Sequence, residues 1–304
     1  MLFARKIGLL IACFVWGALF SLGNAPRAHA SELLKFSAHP VLTYSRDING
    51  GTPDKPIYVL GLPFRFPEDQ VQKSGVLIGA GVSAGGQFDP LHSVRLSYTA
   101  NLEAMRNPAY GLNVGRGNLR VCALGFPLPR NLLTFCALHA VEMKDLKTSR
   151  RSDFELALAQ RKARGRGTIF SNRVAIGTAH IDSYWQDRIS ARIGVEYPGG
   201  RSISLASTYF ERVSGVMSQR AEIEASYGTR IAGRPVTGTL TLGRSAGAQF
   251  LGVDRVDRTR RMALRAQLTQ HLGLTLGHTQ VNSSADYYDQ SGWDLSFQVM
   301  SKAF

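Results

Sequence analysis

Apolar and polar residues alternate at period two along most of the chain. Tyr58, Leu60, Leu62, Phe64 and Phe66 fall on one face of a first predicted strand. Val76, Ile78, Ala80, Val82 and Ala84 fall on one face of the next, with Gly79, Gly81, Ser83 and Gly85 opposite. Val94 to Leu102 repeats the pattern, and so do segments led by Phe154, Ile189, Ile203, Ala221, Val236, Met262 and Trp293. Strict alternation of this kind marks strands with two chemically different faces. The second faces carry Arg188, Ser190, Arg192 and Glu196 in one segment, and Arg261, Arg265 and Gln267 in another. Turn residues punctuate the series, among them Pro53-Asp54, Asn107-Pro108, Pro127-Leu128-Pro129, Pro198-Gly199-Gly200 and Gly233-Arg234-Pro235.

A soluble sandwich or barrel would turn the apolar faces inward, and a transmembrane barrel would turn them toward lipid around a polar lumen. The chain favours the second. Roughly 14 strands of about 9–11 residues plus turns fill it from about Leu33 onward. Several strands end in an aromatic residue, as at Tyr197, Tyr209 and Tyr227, and the polar faces are rich in Gly, Ser and Arg. The expected fold is therefore an all-β, antiparallel outer-membrane barrel occupying residues 31–304 as one domain, with no visible linker or helical repeat. Phe304, closing the last strand, is the kind of terminal aromatic residue that barrel-insertion machinery reads. It falls out of phase with Trp293, Leu295, Phe297 and Val299, so a bulge is needed to align it.

The first thirty residues change the picture of the compartment. Arg5 and Lys6 precede an apolar run from Ile7 to Leu22, and Ala28-His29-Ala30 offers a small-residue cleavage site. This is the pattern of a secretory signal peptide over residues 1–30; the alternative is an uncleaved N-terminal helix. Beyond it no apolar run is long enough for a membrane-spanning helix. Of 304 residues, 44% are hydrophobic and 19% charged, with 31 glycines and a formal charge of +14. Removing thirty residues, which include Arg5, Lys6 and Arg27 but no acid, leaves 274 residues and a charge of +11. In a secreted chain this basicity points to anionic lipid, anionic solute or a protein substrate. No basic run alternates with exposed aromatics, so nucleic acid is not an expected partner. The densest cluster, Arg161 to Arg166, reads as the polar wall or loop end of a β structure.

Catalytic motifs are weak. Gly81-Val82-Ser83-Ala84-Gly85 and Gly243-Arg244-Ser245-Ala246-Gly247 match the spacing of a nucleophile elbow, but no helix pattern follows either. His39, His92, His139, His180, His271 and His278 show no metal-ligand spacing. Acidic residues lie beside arginines, as in Asp254-Arg255 and Asp257-Arg258, with no carboxylate pair set apart for acid–base work. No catalytic residue, cofactor or metal is expected. Cys122 and Cys136 flank the predicted turn at Pro127–Arg130 almost symmetrically, so adjacent antiparallel strands would bring them together. A disulfide is expected in an oxidising compartment; the alternative is two small buried thiols.

Both ends of the chain also resemble a known family. The segment Pro40 to Gly51, with Asp47-Ile48-Asn49-Gly50 at its turn, is similar to the opening of the C-terminal barrel of surface lipoprotein assembly modifiers. Lys73-Ser74-Gly75-Val76 resembles a later strand of that family, as does the stretch from Arg258 through Gly273-Leu274-Thr275-Leu276, Asn282-Ser283-Ser284 and Tyr287-Tyr288-Asp289 to Phe304. The resemblance implies a barrel of 14 strands that helps a lipoprotein or secreted protein reach the cell surface. Members often carry a periplasmic tetratricopeptide domain, and no such repeat is expected here. Three functions follow: export or display of a protein substrate, a general or anion-preferring diffusion channel, and an outer-membrane hydrolase using Ser83 or Ser245. Outer-membrane lipids are expected around the barrel in each case.

Overall fold

A computed structural model describes residues 35–91, 94–128, 131–165, 167–269 and 272–299. The expected signal peptide, Phe304, His92 and His271 lie outside the described residues. Sixteen strands run in chain order. β1 (Lys35–Ser45) is followed by two short strands, β2 (Ile57–Val59) and β3 (Leu62–Phe64). β4 (Gly75–Leu91), β5 (Val94–Arg106), β6 (Asn113–Leu128), β7 (Asn131–Met143) and β8 (Thr148–Arg164) come next. β9 (Thr168–Ile181), β10 (Tyr184–Tyr197), β11 (Arg201–Phe210) and β12 (Ser218–Ile231) follow, then β13 (Arg234–Phe250), β14 (Val253–Gln267), β15 (Leu272–Ser283) and β16 (Gln290–Val299).

Every strand except β2 and β3 joins one closed antiparallel barrel of 14 strands. Neighbours in sequence are neighbours in space, and the circle closes where β1 meets β16, from Val41 opposite Gln298 to Tyr44 opposite Leu295. Among the described residues no helix is long and apolar enough to cross a membrane; the strands do the crossing. At 10–17 residues each barrel strand meets or exceeds the span a bilayer requires.

Closure fixes which face is which. On β4, Leu77 is 1% exposed and points into the barrel, while its neighbours Val76 and Ile78 face outward. The register carries this alternation around the circle. Leu156, Val174, Ile189, Ile203, Ile223 and Leu240 are all exposed and all on the outer face. An exposed apolar band on a closed barrel is stable only against hydrocarbon, so the protein is a transmembrane barrel of outer-membrane type. Trp185, Trp293, Tyr44 and Tyr209 stand toward one rim of the band, and Tyr197 and Tyr227 toward the other. The two ends also differ. Connections on the side of Leu91 and Val94 are confined to a few residues each, whereas those on the other side include 46–74, 107–112, 211–217 and 284–289. Short turns on the periplasmic side and longer loops outside are the rule for such barrels.

One expected strand is corrected. Residues 57–66 form a hairpin rather than a single strand, because Leu60 and Gly61 both take positive φ, 52° and 81°. That pair is the turn the right-handed twist of a two-residue hairpin requires. Ala232-Gly233 and Leu251-Gly252 close two barrel hairpins in the same way.

Candidate functional site

The first connection folds back into the barrel mouth as a strap. Ile48 is 0% exposed and packs on the inward residues Val41, Leu77, Met105 and Val114. The strap is tied on both sides. Asn49 donates from Nδ2 to the Val71 carbonyl at 2.7 Å and accepts from the Lys73 amide at 2.9 Å. The Leu146 amide donates to the Asn49 carbonyl at 2.9 Å, and Lys144 Nζ reaches Asp47 at 3.0 Å. The mouth above β1 and β4–β6 is thus occupied by an apolar cluster with hydrogen-bonded edges. Farther along the connection, Lys55 Nζ donates to the carbonyl of Asp289 at 2.7 Å, and Phe66 and Phe250 pack around Tyr287.

Across the barrel the lumen wall is basic. A cavity of about 540 Å³ is lined by strands β8–β14. Five arginines border it, Arg151, Arg173, Arg188, Arg192 and Arg261, against two carboxylates, Glu155 and Glu222. A second cavity of about 180 Å³ shares Arg151, Arg188, Phe210, Gln219 and Ser245 with the first. Its remaining wall is Ala179, Ile181, Tyr184 and Gln186. The arginines are held in place by inward acids. Asp153 takes Arg188 at 2.6 Å and Arg151 at 2.5 Å. Glu155 pairs with Arg173 and lies 3.4 Å from Arg188. Glu224 holds Arg192 at 2.7 Å. Arg261 forms no ion pair among the described residues, so its charge is presented to the cavity uncompensated. Gln186, fully buried, fixes the upper wall by donating to the carbonyls of Glu211 at 2.8 Å and Gln219 at 2.7 Å.

Ion pairs therefore form between residues on one face of the wall, at two-residue spacing within a strand or across strands, and not between chain neighbours. Asp257 binds Arg255 at 2.5 Å, two residues away, and neither Asp254-Arg255 nor Asp257-Arg258 is a pair. Adjacent strand residues point to opposite faces, which corrects the pairing read from the sequence. Arg161, the first residue of the basic cluster, meets Glu196 at 2.8 Å in the barrel wall.

The serines of the two glycine-flanked motifs both lie in mid-strand and face inward. Ser83 sits opposite Asn101 and Ser37, and Ser245 opposite Gln219 and Asp257. Neither is on a strand-to-helix turn, and no histidine is hydrogen-bonded to either among the described residues. His139, His180 and His278 are on the outer face, where His180 and His278 pack at a tilt against Trp185 and Trp293. His39 is the inward one, 6% exposed, with Nε2 lacking a hydrogen-bond partner. It lies over Gly81, where a Cβ would fall 2.5 Å from that nitrogen, so glycine is required there for the ring to fit. Cys122 and Cys136 are directly opposed across β6 and β7, with Cα atoms 4.1 Å and sulfurs 2.10 Å apart, on the lumen side beside Arg120.

No family model and no curated protein matches the chain. Solved structures similar to it include OccAB3 of Acinetobacter baumannii, at 10% identity and TM-score 0.46, covering 88% of this chain and 99% of that one. OprB of Pseudomonas putida matches at 8% identity and TM-score 0.49, covering 90% and 94%. A BenF-like porin from Pseudomonas fluorescens Pf-5 matches at 9% identity and TM-score 0.45, covering 89% and 99%. The likeness is loose, and the architecture of this chain rests on its own strand register. The resemblance to surface lipoprotein assembly modifiers is not upheld, since no family model matches the chain. The shared features, an Asn-Gly pair in a connection and Leu-Thr-Leu strands, are common in loops and on a lipid-facing wall of antiparallel barrels.

Proposed function

We propose that the protein is an outer-membrane diffusion channel that favours small anions. The observation that carries this is the cavity in the lumen, bordered by five arginines of which Arg151, Arg173, Arg188 and Arg192 are held by acids and Arg261 makes no ion pair among the described residues. In a narrow, low-dielectric lumen such an excess concentrates anions and repels cations. The acids behind the arginines support passage as well as binding. They hold the guanidinium groups rigid and lower their net field, so an anion enters without being trapped. A strand-borne serine without a base leaves the hydrolase reading no comparable support.

The test is conductance in planar bilayers under a salt gradient. Steady unitary steps with a reversal potential on the anion side are expected. Arg261→Gln should move that potential toward zero while leaving the barrel folded. A silent bilayer, or cation preference in the unaltered protein, would refute the channel.

A further inference from the structure

Not all of the uncompensated charge lies in the lumen. Arg244 on β13 and Arg258 and Arg260 on β14 point away from the barrel and are exposed. Arg244 stands directly opposite Arg258, and Arg260 opposite Leu242. Cross-strand partners have Cβ atoms about 5 Å apart, and residues two apart on a strand are about 6.6 Å apart. The three guanidinium groups therefore converge on one patch.

The surroundings offer them no countercharge. On β12 the outward neighbours are Ala221 and Ile223, and on β15 they are Gln280 and Asn282. The nearest acids along the chain are engaged elsewhere. Asp257 and Glu222 face the lumen, where Asp257 binds Arg255 and Ser283 and Glu222 binds Gln219. Asp254, nearer the rim, accepts from Gln249. None of the three arginines makes an ion pair or side-chain hydrogen bond among the described residues. Like charges directly opposed on a sheet repel, so the patch is unfavourable unless something anionic covers it.

Its height along the barrel says what that is. Met262, His278 and Trp293 occupy one outward row. Arg260, Gln280 and Ser291 form the next row toward the loop end, and Arg258 and Asn282 the one after. An aromatic girdle marks the edge of the hydrocarbon, so the arginines stand one and two rows beyond it, at headgroup depth in the leaflet on the loop side. Arginine forks match the oxygens of a phosphate bidentately. We propose that Arg244, Arg258 and Arg260 form a binding site for the phosphate-bearing headgroup of a lipid in that leaflet, flanked by the amides of Gln280 and Asn282.

The barrel in non-ionic detergent, mixed with a diphosphorylated disaccharide lipid or its dephosphorylated form and examined by native mass spectrometry, decides the matter. The unaltered protein should retain the phosphorylated lipid about tenfold better. The triple variant Arg244→Gln/Arg258→Gln/Arg260→Gln should retain the two forms equally, with heat-resistant gel mobility and conductance unchanged. Should the triple variant not fold, Arg258→Gln alone should lower the preference about threefold. Equal retention of both lipids by the unaltered protein overturns the site, as does a preference that survives these substitutions. Displacement of the lipid by excess inorganic phosphate would assign the patch to a soluble anion and overturn the lipid reading.

Discussion

Beneath β1 and β4–β6 the inward residues near the mouth are Val41, Leu77, Met105 and Val114, closed over by Ile48. At the same side of the wall on β8–β10 the inward residues are Arg151, Asp153, Glu155 and Arg188. One side of the lumen is packed like a protein core and the other holds a cavity lined by arginines. The difference shows how one barrel wall carries an apolar packed side and a charged side held by ion pairs. Apolar packing anchors the strap over β1 and β4–β6, and farther along the connection Phe66 packs with Tyr287 beside Phe250 of β13. Ion pairs on the other side hold the arginines without filling the space.

The comparison breaks most severely at the packed half. Leu77→Ala should cost about 2–5 kcal/mol, because a fully buried side chain leaves a cavity that the barrel wall cannot close. The midpoint of urea unfolding in lipid vesicles measures this, and an unchanged midpoint would show that the cluster does not stabilise the barrel. On the basic half, Arg188→Gln should cost less, about 1–3 kcal/mol. Asp153 is buried and loses one of two cationic partners, but Arg151 stays in place. The two substitutions should also separate in conductance: Arg188→Gln weakens anion preference and Leu77→Ala does not.

A smaller effect is expected at the join between the halves. Asp47→Asn removes the contact with Lys144 at 3.0 Å, a partly exposed pair of about 0–1 kcal/mol. Stability should barely move, while brief closures in single-channel records become more frequent as the strap loosens. Identical closure frequency would mean that Ile48 and Asn49 hold the strap unaided. The covalent link proposed between Cys122 and Cys136 is read by thiol titration. Unreduced, denatured mature protein should show no free thiol and reduced protein two, with conductance the same in both because the bridge lies outside the basic cavity.

Much of this was legible in the chain. Period-two alternation identified the lipid-facing set, and the residues opposite it, Arg188, Arg192 and Arg261 among them, do line the lumen. The opposition of Cys122 and Cys136 followed from their symmetry about a turn. The hairpin at Leu60-Gly61 was hidden because Tyr58 to Phe66 keeps an apolar residue at every second position through the turn. The burial of Ile48 was hidden too, since an isoleucine in a connection carries no periodic signal. His39 offered none either, being one polar residue among many on its face.

What the sequence determined by itself is the two-faced strand, repeated often enough to close a barrel, and the sign of the charge on its polar face. Both are local properties, set by side-chain chemistry and the pleat of the backbone. Which arginines are neutralised and which stay free was decided only by tertiary structure. Arg188 is paired because register brings Asp153 and Glu155 around to it from β8. Arg261 makes no ion pair among the described residues; of the inward acids nearby, Glu222 accepts from Gln219 and Glu224 is held by Arg192. Arg258 and Arg260 share the alternation of Met262 and stand on the outer face, where closure of the barrel puts lipid instead of water against them. Ion pairing depends on distances of a few ångströms between residues far apart in sequence, and only the closed circle of strands sets those distances.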